Sequence, residues 1–130
     1  MSQTSFQVVD LEASTDTGPS LLSKFFRALG DNNRLRLLEF ILAKERNVSE
    51  CVEHLDLSQG RVSIHLACLA DCGFIESRRD GRWNYYRVTD PRVSDLVMLA
   101  RSLATDNCAP LEKCERIDDP ANQPAKAVTK

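Results

Sequence analysis

The chain has 130 residues, 42% of them apolar, with a formal net charge of −2 and five cysteines against two histidines. That length suits one small domain with tails. The slight acidity argues weakly against a non-specific polyanion binder, and no window approaches the roughly 18 apolar residues of a membrane-spanning helix. Residues Met1 to Asp10 lack both a basic start and an apolar run. They do not read as a secretory signal, so the chain reads as cytoplasmic with reduced thiols.

The charge is unevenly laid out. Residues 1–19 carry Asp10, Glu12 and Asp16 with no base, a net −3. Residues 20–104 carry 13 Lys/Arg and 11 Asp/Glu, a net +2, and residues 105–130 carry −1. The first stretch is rich in Ser and Thr and ends in Gly18-Pro19, which predicts a flexible arm over 1–19. A folded domain is expected over 20–105. A cysteine-bearing extension over 106–130 follows, disordered from about Asp118 onwards.

In chain order, Ser20 is placed to cap a helix with the apolar stripe Leu21, Leu22, Phe25, Phe26 and Leu29, stopped by Gly30. Asp31 is placed to cap a second, with Leu35, Leu38, Ile41 and Leu42 at the same period. Ser49 can cap a short third helix through Cys51, Val52 and Leu55. Ser58 can cap a fourth, with Val62, Leu66 and Leu69 inward and Gly73 as its stop. The period then changes. Residues 74–79 and 82–88 read as two strands joined at Asp80-Gly81, a strong hairpin signal. Asp90-Pro91 opens a last helix with Val93, Leu96, Val97, Leu99 and Leu103. The fold class is mainly α with a β-hairpin wing, in the order α-α-α-α-β-β-α: a winged helix-turn-helix.

Such a fold points to DNA. The fourth helix would be the reading helix, with Ser58, Gln59, Arg61, Ser63 and His65 clustered in its first half. A helix entering a major groove reads bases from that half. Gln pairs with adenine, Arg with guanine, and Ser with bases or phosphates. A polar helix face alone is as often simple solvation. Arg78, Arg79 and Arg82 around the hairpin tip shift the balance, because phosphate or minor-groove contacts belong there. One module of this size covers little DNA, so a two-fold homodimer on a palindrome is expected. The apolar first and last helices are its candidate interface, although for any single residue of those stripes ordinary core packing is the stronger reading.

Cys68 and Cys72 are four apart on the reading helix. That spacing puts both thiols on one face, near enough for two thiolates to share one soft ion. Cys108 and Cys114 lie in a polar extension with no core to fill, whereas Cys51 sits among apolar residues and reads as core. His54, three residues after Cys51, leaves open a second site; a surface histidine is the simpler reading. An all-thiolate set favours Hg(II), Cd(II), Pb(II) or As(III) over zinc, which usually takes four ligands in structural sites.

Residues Ala28 to Leu38, Leu57 to Leu66, Gly73-Phe74-Ile75 and Asp80-Gly81-Arg82, in that order, resemble the ArsR/SmtB family. The resemblance covers residues 20–105 or so. It departs at Asn32-Asn33, where the family usually has Pro-Thr, and at Gly60, where a Pro is usual. It implies a small dimeric winged-helix repressor that leaves its operator on binding a metal ion. The family's arsenic/cadmium site would need thiols near Asn47 and Ser49, and its zinc site needs histidines on the last helix; both are missing. Cys68-Leu69-Ala70-Asp71-Cys72-Gly73 instead is similar to the motif of the CmtR-like cadmium/lead sensors. That likeness implies a third ligand from the other subunit's extension. Cys108 stands where it is needed, and Cys114 is an extra thiol that could replace it, join it or do neither. Actinobacterial mercury-responsive repressors of the same fold are similar through the same region. Hg(II), or Cd(II)/Pb(II), is therefore the expected inducer.

No Ser/His/Asp set, phosphate loop or pair of catalytic acids is visible, so an enzyme is not expected. A thiol redox-sensing repressor is the alternative, though helical i,i+4 spacing is poor disulfide geometry.

Overall fold

A computed structural model describes residues 19–122. Residues 1–18 and 123–130 lie outside the described residues, and with them most of the expected arm and the far end of the extension. The chain divides into two compact units, with the boundary at Pro91 and Arg92.

The first unit opens with α1, Pro19–Leu29. It begins one residue before the expected Ser20 cap, because Pro at the first helical position lacks only an N–H that would be unpaired there anyway. Asp31 caps α2, Asn32–Ala43, its carboxylate accepting from the Arg34 N–H at 3.0 Å. The two-residue strand β1, Arg46–Asn47, leads into α3, Val48–Leu55. The cap of α3 is Asn47, not Ser49. Asn47 and Glu50 bond each other's backbone N–H groups at 2.9 and 3.1 Å, a reciprocal capping box. Asp56, in the left-handed region at φ 54°, turns the chain into α4, Gln59–Asp71.

Strands β2, Glu76–Asp80, and β3, Trp83–Arg87, form the wing. Asp80 pairs with Trp83, so the two turn residues are Gly81-Arg82 rather than Asp80-Gly81. Gly81 has φ +61° while Arg82 has no positive φ, the requirement of a hairpin turn with glycine first. β1 pairs with the other side of β3, giving a three-stranded antiparallel sheet of order β1-β3-β2. A strand of two residues has no periodicity to display, which is why the sequence does not announce it.

α4 is held from behind. Val62, Leu66 and Leu69 are fully buried against α2 and α3, with Leu37, Leu38, Ile41, Cys51 and Leu55. Of the stripe expected on α2, Leu35 and Leu42 are only half-buried, and Leu37 takes the central place. Phe25 of α1 meets Phe74 at 4.9 Å between ring centroids.

The second unit holds α5, Pro91–Asp106, and α6, Cys108–Lys113, then a 3-10 turn at Pro120–Asn122. The extension therefore has a helix of its own where only polar chain was expected. The winged helix-turn-helix class holds, with β1 and α6 added.

Candidate nucleic-acid interface and thiol pair

Ser58 adopts the extended backbone of a helix cap and its Oγ accepts from the Arg61 N–H at 3.3 Å. This fixes the first turn of α4. Gln59, Arg61 and Ser63 then project into solvent, opposite the buried Val62 and Leu66. His65 does not share that exposure. Its ring is half-buried, its Nδ1 is sealed from solvent without a hydrogen-bond partner among the described residues, and its charge bears on Asp31. Asp31 belongs to the scaffold behind the helix. The Arg34 backbone N–H, more than any other influence, holds its carboxyl below the usual range, and the Arg34 and His65 charges add to this against partial burial. Arg34 in turn donates to the Ala28 and Arg27 carbonyls at 2.7 and 3.2 Å, tying α2 to the end of α1.

The wing arginines differ from one another. Arg82 occupies the turn, exposed and without a side-chain partner among the described residues. Arg79 Nε donates to the Gly81 carbonyl at 3.2 Å, inside the tip itself. Arg78 is engaged by Glu45 through both carboxylate oxygens, with the Asp80 carboxylate 3.8 Å from its Nη1. Sequence reasoning placed all three at the tip and did not find Glu45, which lies 33 residues before Arg78.

At the other end of α4, the Cys72 N–H closes onto the Cys68 carbonyl at 3.0 Å, and Cys72 is the C-cap with helical backbone angles. Gly73 follows at φ +85° and ends the helix, as a residue without Cβ can. The two thiols are neighbours within hydrogen-bonding reach. Partial burial pushes the Cys72 thiol up, and the adjacent Cys68 adds to it by charge and by hydrogen bond, while Lys24 and Arg34 pull the other way. Cys68 is half-buried and Cys72 exposed. Both line a groove of 740 Å³ between α1 and α4, with Leu21, Lys24, Phe25, Ile64, Ala67 and Asp71. Ile64 stands one turn before Cys68, so the spacing that paired the cysteines also marks this wall.

This donor set fits a soft ion: two adjacent sulfurs, one open to solvent, on one groove. Among the described residues no three His, Cys, Asp or Glu side chains converge. Cys108 opens α6 and Cys114 is its C-cap, exposed and half-buried respectively. Cys51 is fully buried, and burial, with a lesser push from Glu50, raises its thiol to about 11. His54 is exposed and lies flat on the Phe40 ring at 3.9 Å, with the Arg46 guanidinium 3.7 Å from the same centroid. Two groups that close to one ring occupy opposite faces of it. Cys51 thus lies in the core and His54 on the surface.

Arginine wing, capped helix and buried helical rear together make a winged helix-turn-helix, the architecture of a DNA-binding protein. Residues 31–77 match the model described as bacterial regulatory protein, arsR family. Over 107 residues the chain is 57% identical to a probable mercury resistance operon repressor of Streptomyces lividans, covering 82% of this chain and 86% of that one. It is 32% identical over 91 residues to the regulator CmtR of Mycobacterium bovis, covering 67% and 77%. The crystal structure of Rv0081 from M. tuberculosis superposes with a TM-score of 0.68 at 27% identity, covering 72% of this chain and 97% of that one. A homodimeric winged helix-turn-helix DNA-binding domain from M. bovis gives 0.63 at 27%, covering 72% and 89%. The chain belongs to the arsR family of DNA-binding transcriptional repressors. No described helix is long and apolar enough to cross a membrane.

Proposed function

We propose that this protein is a cytoplasmic repressor of a heavy-metal resistance operon. It binds a palindromic operator as a homodimer and leaves it when Hg(II), or Cd(II)/Pb(II), binds Cys68 and Cys72. The observation that carries this reading is the placement of the thiol pair on the same helix whose first half offers Gln59, Arg61 and Ser63 to DNA. The likeness to a mercury resistance operon repressor supports it. A ligand held at one end of α4 biases the orientation of the other, and the coupling is reciprocal: DNA must weaken metal binding as much as metal weakens DNA binding. A third thiolate, Cys108 or Cys114, comes from the partner subunit and suits trigonal Hg(II) or Pb(II), with a fourth suiting Cd(II). Exposed apolar side chains on α1 (Leu21, Leu22, Phe26) and on α5 (Met98, Leu99, Leu103) support a two-fold interface.

The test is a titration of the reduced protein with Hg, Cd, Pb and Zn. Ultraviolet thiolate-to-metal bands are followed alongside release of a labelled duplex from the chain's own promoter region. Release by a soft ion in the presence of reductant, abolished in Cys68→Ser and Cys72→Ser, is the expected result. Full release retained in both variants would overturn the site, and release only by oxidant would favour a redox sensor instead.

A further inference from the structure

The register of the small sheet assigns Arg78 a task different from that of its neighbours. Arg78 stands opposite Tyr85, and Tyr85 opposite Asn47, so the three share one sheet face. Glu45, two residues before Asn47, falls on that face by strand alternation. The Arg78 guanidinium lies 4.9 Å from the Tyr85 ring centroid. Beyond it, Nε and Nη2 donate to the two Glu45 oxygens at 2.7 and 2.5 Å, and Nη1 is 3.8 Å from the Asp80 carboxylate. One side chain thus spans the sheet from β2, across β3, to the chain entering β1. A two-point guanidinium–carboxylate fork fixes angle as well as distance, which a point charge does not. Glu45 lies two residues past the end of α2, and α2 packs against α4.

We propose that Arg78 is a positioning residue: with Glu45 it clamps the wing to the end of α2, setting the wing's angle to the reading helix, and it makes no DNA contact of its own. The electrostatics agree. The Arg78 bond holds the Glu45 carboxyl below its usual range, and Glu45 raises the Arg78 guanidinium. The inference rests on the DNA-binding reading above, but the clamp can be tested without DNA.

Trp83, at the start of β3, is the chain's single tryptophan, so its fluorescence reports the wing alone. In the free protein, Glu45→Ala and Arg78→Ala should each increase the local motion of Trp83 seen in anisotropy decay, and the double variant should add nothing. Unchanged motion in both single variants would overturn the clamp. With the promoter duplex, both should weaken binding by a similar factor, about two- to fivefold, as expected for one well-formed surface pair. The salt dependence should stay that of the wild type. Arg78→Lys should behave like Arg78→Ala, because it keeps the charge and loses the fork. The proposal is overturned if Arg78→Ala flattens the salt dependence by about one phosphate contact, if Arg78→Lys binds normally, or if Glu45→Ala binds more tightly by freeing the cation. Failure of the wild type to bind any promoter duplex would sink the DNA-binding reading, while Trp83 would still decide the clamp.

Discussion

The reading helix and the wing hold their polar side chains differently. On α4, Gln59, Arg61 and Ser63 have no side-chain partner among the described residues, and only Ser58 is used internally, as a cap. At the wing tip, Arg78 is engaged by Glu45, Arg79 touches the Gly81 carbonyl, and Arg82 has no side-chain partner among the described residues. The difference separates two jobs. A helix anchored by a dry rear face can leave its front unsatisfied until bases arrive. A hairpin whose β2 residues are all exposed is anchored only through β3, by its ladder with β1, and its outer strand gains support from the Arg78–Glu45 pair. Counting arginines therefore overstates the cation that the wing offers to phosphate.

The strongest way to break this contrast is to remove the anchor. Leu66 is fully buried behind the reading face, and Leu66→Ala should cost roughly 2–5 kcal/mol in thermal or denaturant unfolding. A loss much smaller than that would mean the helix is not held from behind. Next in size is Arg61→Ala, which should weaken operator binding by about 1–3 kcal/mol and relax preference at one base position in each half-site. Binding measured across a set of single-base operator variants checks this. A loss equal for every sequence would reassign Arg61 to the phosphates.

How much of this was legible depends on range along the chain. The helical stripes, the Gly73 stop and the hairpin are local patterns, and the thiol pair is legible because i,i+4 is itself a local rule. Cys51 among Val52 and Leu55 reads as core for the same reason, and it is buried. The misses are of two kinds. Some are short: β1 has two residues, α6 has six, and the hairpin turn is shifted by one. The others are tertiary. Nothing near Arg78 in sequence announces Glu45, and nothing near His65 announces that its Nδ1 is sealed from solvent. A third thiolate for Cys68 and Cys72 is of the tertiary kind, since helical spacing cannot supply it.

The scaffold behind the helix yields a smaller, pH-dependent effect. Asp31 caps α2, and its carboxyl is held below its ordinary value of 3.8, first by the Arg34 N–H. A folded-state pKa below the unfolded one contributes stability above about pH 3.8, lost as the pH falls through the lower folded value. Asp31→Ala should therefore cost about 1 kcal/mol at neutral pH, the usual worth of such a cap. The gap to wild type should close in strong acid. Urea unfolding at a series of pH values measures it, and a gap that widened on acidification would contradict the assignment.

The smallest effect sharpens the contrast within the wing itself. Arg82 sits in the turn with no side-chain partner among the described residues. If it meets a phosphate, Arg82→Ala should reduce the slope of log affinity against log salt by about 0.9 for each phosphate that it neutralises. Arg79→Ala should change the slope less, because its Nε already donates to the Gly81 carbonyl at 3.2 Å. A counterion is released only when a cation exchanges its ion atmosphere for a phosphate, and a guanidinium partly turned inward makes that exchange less completely. The expected order is thus Arg82, then Arg79, then Arg78 with no change in slope. Equal slopes for all three would show that internal bonds yield to DNA, and that the wing, like the helix, presents every cation it carries.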